Sequence, residues 1–128
     1  PKQKYTFRKG ERLGSRKSIT LLFESGKRID SHPLRILYHF SAPQEYPAAI
    51  AVSVPKHNFR RAVDRNLLKR RIREAYRMNK HSLYKKLGKK HIQMVIQYRH
   101  KEILGYREIE EALLDGWKTL FGEAESGN

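Results

Sequence analysis

The period of the apolar positions changes several times along the chain, and each change marks an element. Over residues 15–25, Ile19, Leu22 and Phe23 fall at i, i+3 and i+4 and predict a first helix, with Gly26 placed to stop it. Residues 29–31 read as a short edge strand and 34–40 as a longer one, followed by a turn over 41–47 that contains two prolines. Over 48–54 the pattern alternates. Ile50, Val52 and Val54 share one face, the small Ala49, Ala51 and Ser53 share the other, and Pro55 ends the strand. A long helix is predicted over about 60–80, then a loop with some helical turn over 82–90. Over 91–98, Ile92, Met94, Ile96 and Tyr98 alternate with His91, Gln93, Val95 and Gln97, giving a strand whose second face is mostly polar. In a last helix, about 106–121, Ile109, Leu113, Trp117, Leu120 and Phe121 form the apolar stripe.

This order predicts an α+β fold, a sandwich of one sheet with helices mostly on one face. At least two strands pair an apolar face with a small or polar one, which leaves the second face for water or a ligand. The length of 128 residues suits a single domain, 1–128. A basic, irregular arm covers about 1–13, and Tyr5 and Phe7 are expected to anchor it against the body.

Charge adds a partner to this picture. The formal net charge is +15, and a compact chain that repels itself this strongly calls for a polyanion. The charge is uneven. Residues 102–128 hold two basic and seven acidic side chains, against 26 basic and 6 acidic in 1–101. The last helix is therefore expected to serve as scaffold and keep its acids in solvent. The chain has no cysteine, which excludes disulfides and thiolate metal sites and suits a reducing cytoplasm. No apolar stretch approaches a membrane span, and the charged start lacks the apolar run of a secretory signal. A membrane-surface role is disfavoured because the basic helix has no bulky apolar face free for lipid.

Residues 56–77 are the most informative segment, with nine basic and two acidic side chains. Lys56, Arg60 and Arg61 lead into it. Arg61, Arg65, Lys69, Arg73 and Arg77 recur at every fourth residue, so each step drifts only about 40° around a helix and the five form one slanting stripe. Asn66 and Arg70 fall beside it, Asp64 and Glu74 outside it. Leu68, Ile72 and Ala75, with Tyr76 at the border, make a separate arc that can bury against the sheet. Like charges at i, i+4 destabilise an isolated helix by about 0.2–0.5 kcal/mol per pair, a cost that a phosphate backbone removes while releasing counterions. Arginine adds a planar fork suited to phosphate and base edges. A merely solvated basic face is the bland alternative. No helix-turn-helix pattern and no zinc ligands point to duplex DNA. A wet sheet face beside the helix suggests instead a trough for a single strand.

The run Arg65-Asn66-Leu67-Leu68-Lys69-Arg70-Arg71-Ile72-Arg73-Glu74 resembles the signature helix of the bacterial ribonuclease P protein component, roughly R-N-R-x-K-R-x-x-R-E, and Ala51-Val52-Ser53-Val54-Pro55-Lys56 resembles the strand before it. Two positions depart from the pattern. Leu67 stands where the triplet has its second arginine, and Arg60-Arg61 replaces the usual Gly-Asn before the Ala-Val pair. The resemblance covers most of the chain. It implies a mixed sheet of about four strands with a left-handed βαβ crossover. It implies a subunit that binds one catalytic RNA, ribonuclease P RNA, as a monomer in a 1:1 complex, and that helps remove the 5′ leader of precursor tRNA in the cytoplasm. The RNA would carry the catalysis and the Mg2+, with no cofactor on the protein alone. Arg65, Asn66, Lys69, Arg70 and Arg73 would be the signature RNA-binding positions, and the basic pattern itself adds Lys56, Arg60, Arg61 and Arg77 as expected RNA contacts. A cleft between the sheet and the first helix would hold the leader, with Phe23 and Tyr38 at its aromatic positions. Ile19 stands where the family often has another aromatic. Core packing is the alternative for Phe23, and strict alternation groups Tyr38 with Ile36 and Phe40 on a core face.

No protein active site is legible. Glu108, Glu110 and Glu111 sit on the acidic last helix, and His32, His39, His57, His81, His91 and His100 show no metal-ligand spacing. No nucleophile motif or phosphate-cradling glycine loop is present. Two other readings share these observations: a non-catalytic structural RNA-binding protein, ribosomal or another RNA scaffold, and a metal-dependent nuclease acting alone.

Overall fold

The structure is a computed structural model and describes Phe7 and residues 9–122. After a 3-10 turn at Lys9–Glu11, the elements are α1 (Arg16–Ser25), β1 (Lys27–Ser31), β2 (Leu34–Ser41), β3 (Ala48–Ser53), α2 (Ala62–Leu87), β4 (His91–Tyr98) and α3 (Tyr106–Leu120). The strands form one mixed sheet in the order β1-β2-β4-β3. β2 pairs antiparallel with β1 and β4, while β3 and β4 run parallel and are joined through α2.

Alternation along the strands sends their side chains into two cores. Ile36, Ile50, Ile92, Met94, Ile96 and Tyr98 face the layer of α2 and α3, where Leu68, Ile72, Ile109, Leu113 and Trp117 meet them. Each large apolar side chain buried there contributes about 1.5–3 kcal/mol. On the other face α1 covers the middle of the sheet, and Leu22 packs with Leu37, Ala49 and Val95. That face is therefore wet only beyond the edges of α1. Ser15 caps α1 by accepting from the Ser18 amide at 3.3 Å.

The largest departure from expectation is α2. Its helix starts at Ala62, after Arg60 and Arg61, and continues to Leu87, so the loop expected over 82–90 is confined to 88–90. The 26 residues span about 39 Å at 1.5 Å each. The apolar stripe that begins at Leu68, Ile72 and Tyr76 carries on through Leu83 and Leu87. The polar residues near 80 hide this continuity because Lys80 lies in the stripe and is itself buried. Gly88, at φ +61° and ψ −118°, takes a positive-φ conformation open to glycine and ends the helix, its amide donating to the Tyr84 carbonyl at 3.2 Å. In the N-terminal arm Phe7 anchors as expected, packing edge-on against Tyr76 with ring centroids 5.7 Å apart. Tyr5 lies outside the described residues.

Candidate nucleic-acid interface

The buried arc of α2 (Leu68, Ile72, Ala75 and Tyr76) fixes which way the helix faces, and the basic stripe follows from it on the remaining surface. Arg61, Asn66, Arg70 and Arg73 are exposed, and Arg65, Lys69 and Arg77 are half-buried. Lys56 and Arg60 are exposed in the turn that leads in.

The stripe divides into parts with different partners. At its start, Arg65 donates through Nη1 to the carbonyls of Phe59 at 2.8 Å and Arg60 at 3.0 Å, folding the lead-in turn onto the helix. At its end, Arg77 grips Glu74, with Nη2 2.7 Å from Oε2 and 2.8 Å from Oε1. Glu74, expected outside the stripe, thus engages its last member one turn along. Between these ends, Lys69, Arg70 and Arg73 form no ion pair with any described carboxylate. Asn66, Arg70, Arg73 and the Glu74–Arg77 pair line a groove of 380 Å³ together with Phe7. Three donors without an internal anion, held on a rigid helix, have the chemistry of a phosphate-binding surface.

Arg71 falls outside the stripe and is not among the predicted RNA-binding positions. It donates to the Leu104 carbonyl at 2.6 Å and ties α2 to the loop before α3. Its place one residue after Arg70, turned toward α3, is the signal that separates it from the RNA-facing cations.

On the opposite face of the sheet, a trough of 370 Å³ runs beside α1, lined by Phe23, Arg28, Arg35, Leu37, Gln97 and Arg99. Phe23 is 47% exposed there, so it is a wall of the trough and not a core residue. Tyr38 is not brought to it. Alternation along β2 turns Tyr38 to the α2–α3 side, where it packs beside the main core and against Phe40 at 5.9 Å. The trough-facing residue of this stretch is Leu37, and the expectation that grouped Tyr38 with Phe23 is corrected accordingly. Ile19 lies half-buried against the small core under α1. Arg35 donates to Asp30 at 2.7 Å, and that hydrogen bond, with the charges of Arg35 and Arg28, holds the Asp30 carboxyl below its ordinary value. Gln97 and Arg99 also line a neighbouring pocket of 560 Å³ with His57, Asn58 and Lys101, which extends the polar surface toward the start of α2.

The carboxylates of α3 are dispersed or already used. Glu110 accepts from Asn79 at 2.8 Å and from the Tyr106 hydroxyl at 3.0 Å, and Glu108 accepts from the Gly105 amide at 3.3 Å. Burial raises the Tyr106 phenol to about 12, which keeps it a donor. Among the described residues no three His, Asp or Glu side chains gather where they could hold a metal ion. No described helix is long and apolar enough to cross a membrane.

Comparison with known proteins agrees with this geometry. A family model described as Ribonuclease P matches residues 7–120. The ribonuclease P protein component of Porphyromonas gingivalis (strain W83) is 39% identical over 121 residues, covering 92% of this chain and 88% of its own length. That of Nitrosococcus oceani is 40% identical over 62 residues, 48% of this chain. Among solved structures, the RNase P protein from Thermotoga maritima superposes with a TM-score of 0.67 at 27% identity, covering 85% of this chain and 96% of its own. The Staphylococcus aureus RNase P protein reaches 0.68 at 18% identity, covering 86% and 94%, and supports the fold. With the signature run on the exposed face of α2 and the family match spanning nearly all of the described chain, the protein belongs to the ribonuclease P protein family, the protein subunit of the ribonucleoprotein endoribonuclease that matures tRNA 5′ ends.

Proposed function

We propose that Lys69, Arg70 and Arg73, with Asn66 and the lead-in residues Lys56, Arg60 and Arg61, form the contact with ribonuclease P RNA, and that the trough beside α1 holds the single-stranded 5′ leader of precursor tRNA. Arg65 and Arg77 border the contact. The observation that carries this reading is the set of cations on α2 with no carboxylate partner among the described residues. A buried apolar arc holds them still, so little side-chain and helix order is lost when phosphates arrive. In the trough, Phe23 offers a ring for base stacking and Arg99 offers charge for the backbone, the pairing that single-strand grooves use, while Arg28 and Arg35 beside it share Asp30.

The chain acts here as one RNA-binding domain, a monomer in a 1:1 complex in the cytoplasm. The protein supplies binding and orientation, and the magnesium ions belong to the RNA.

The test is cleavage of precursor tRNA by ribonuclease P RNA at low magnesium, with and without the protein. The protein should enhance cleavage, and Arg70→Ala or Arg73→Ala should remove most of the enhancement. No enhancement over RNA alone overturns the reading, as does recovery of ribosomal RNA instead of ribonuclease P RNA in a pull-down. Affinity should also fall with salt at a log–log slope of about −0.7 for each single-strand phosphate contacted.

A further inference from the structure

Three polar or charged side chains among the described residues are buried, and two of them, Glu11 and Lys80, form an ion pair at 2.7 Å with side-chain exposures of 2% and 4%. Glu11 lies in the arm and Lys80 in the C-terminal third of α2, 69 residues apart. The Tyr84 hydroxyl donates to the same Glu11 oxygen at 3.0 Å. Its one proton is thereby used, so Tyr76, 3.2 Å away, donates to Tyr84. Burial raises both phenols, which keeps them protonated.

Stability alone does not explain such a pair. Two ions taken out of water lose about as much in desolvation as they regain in attraction, and apolar replacements of similar volume are often neutral or better. The pair does specify where the arm sits. Around it, Gly10 lies so close to the Tyr46 ring that a Cβ would not fit, and the Leu13 amide donates to the Ile50 carbonyl at 2.8 Å. With the arm seated, Phe7 rests on Tyr76 and walls the groove of Asn66, Arg70 and Arg73, and the Arg12 guanidinium stands 5.1 Å over the Phe7 ring. Lys9 and Arg12 are both exposed on this segment.

We propose that the Glu11–Lys80 pair is a positioning device that docks the segment carrying Phe7, Lys9 and Arg12 beside the arginines of α2, so that arm and helix bind one stretch of RNA backbone as a single surface. This rests on the reading of α2 as the RNA contact. Glu11 and Lys80 touch no RNA themselves. They act through Phe7 and Arg12.

The experiment measures affinity for ribonuclease P RNA across a salt series, well below the unfolding temperature, for full-length wild type, Glu11→Gln, Phe7→Ala/Arg12→Ala and the combination of all three. Glu11→Gln should bind about tenfold more weakly, with a salt slope shallower by about 0.7 for each phosphate that the undocked arm no longer reaches. The combination should lose no more than its weaker-binding parent, because the arm can be undocked only once. Should Glu11→Gln fail to fold, Glu11→Gln/Lys80→Met leaves no bare buried charge and should show the same weakened binding with a native far-UV signal. Wild-type affinity in a folded Glu11 variant, or losses that multiply in the combination, overturns the positioning role. Arg73→Ala run alongside separates the two readings. If Arg73→Ala binds normally, the α2 contact itself is wrong. If it weakens binding while the Glu11 variants do not, only the positioning inference fails.

Discussion

α2 and α3 pack side by side against the same face of the sheet, each through an apolar stripe, yet they treat their charges differently. Two acids of α3 are drawn into the protein's own bonding, with Glu110 taking Asn79 and Tyr106 and Glu108 closing the start of its helix, while Glu111 and Asp115 stay exposed and apart. The cations of α2 sort by position. Lys80 is buried on Glu11, Arg71 is spent on the Leu104 carbonyl, Arg77 is held by Glu74, and Lys69, Arg70 and Arg73 are left facing outward. Net charge does not distinguish these groups. A charge satisfied within the fold is part of the scaffold, and a row of like charges held rigidly on one face without partners among the described residues marks the surface for a ligand of opposite sign.

Changes on α2 and α3 test that contrast, and the largest effect is expected at the buried cation. Lys80→Ala leaves Glu11 buried without its counter-ion and should cost about 3–5 kcal/mol in denaturant unfolding. A loss under about 1 kcal/mol would mean that water reaches the pair. Next come the outward cations. Arg70→Ala or Arg73→Ala should each weaken RNA binding by about tenfold or more, since a hydrogen bond to a charged group contributes about 1.5–3 kcal/mol, while unfolding stability stays within about 0.5 kcal/mol. Glu111→Ala on α3 should leave RNA affinity and precursor cleavage unchanged. Magnesium-dependent cleavage by RNA-free protein that this change abolishes would instead support a nuclease acting alone. Arg77→Ala should fall between the two helices, with an affinity loss of only a few-fold, because its tie to Glu74 must loosen before it meets phosphate.

A small effect on stability is expected at Asp30 on the trough side. Its folded carboxyl lies below the ordinary value of 3.8, so its contribution to stability is fully present above that value and is lost as pH falls through the lower folded value. Both Asp30 and Arg28 are well exposed, so the contribution is screened and small. Asp30→Asn should flatten this part of the acid-unfolding curve, measured by urea midpoints between about pH 5 and about pH 2. An unchanged curve would show that the Arg35 contact does not persist in solution.

Much of the fold was legible because strand alternation and helix period are local. The faces of β3 and β4, the stripe of α3 and the outward direction of the α2 cations all follow from spacing within a dozen residues. The length of α2 was not legible, because a lysine in an apolar stripe reads as a break unless its distant glutamate is known. Tyr38 shows the converse. Alternation already grouped it with Ile36 and Phe40, and the structure keeps that grouping over the family expectation, while Phe23, for which helical spacing left core and cleft open, stands in the trough.

By itself the sequence determined the order of elements, the family signature and the fact that a helix presents a row of cations. Tertiary structure alone decided which of those cations remain available, because Glu11 meets Lys80 across 69 residues and Leu104 meets Arg71 across 33. Local periodicity sets the direction in which a side chain points. Whether an opposite charge waits there depends on how distant parts of the chain pack, and only folding brings them together.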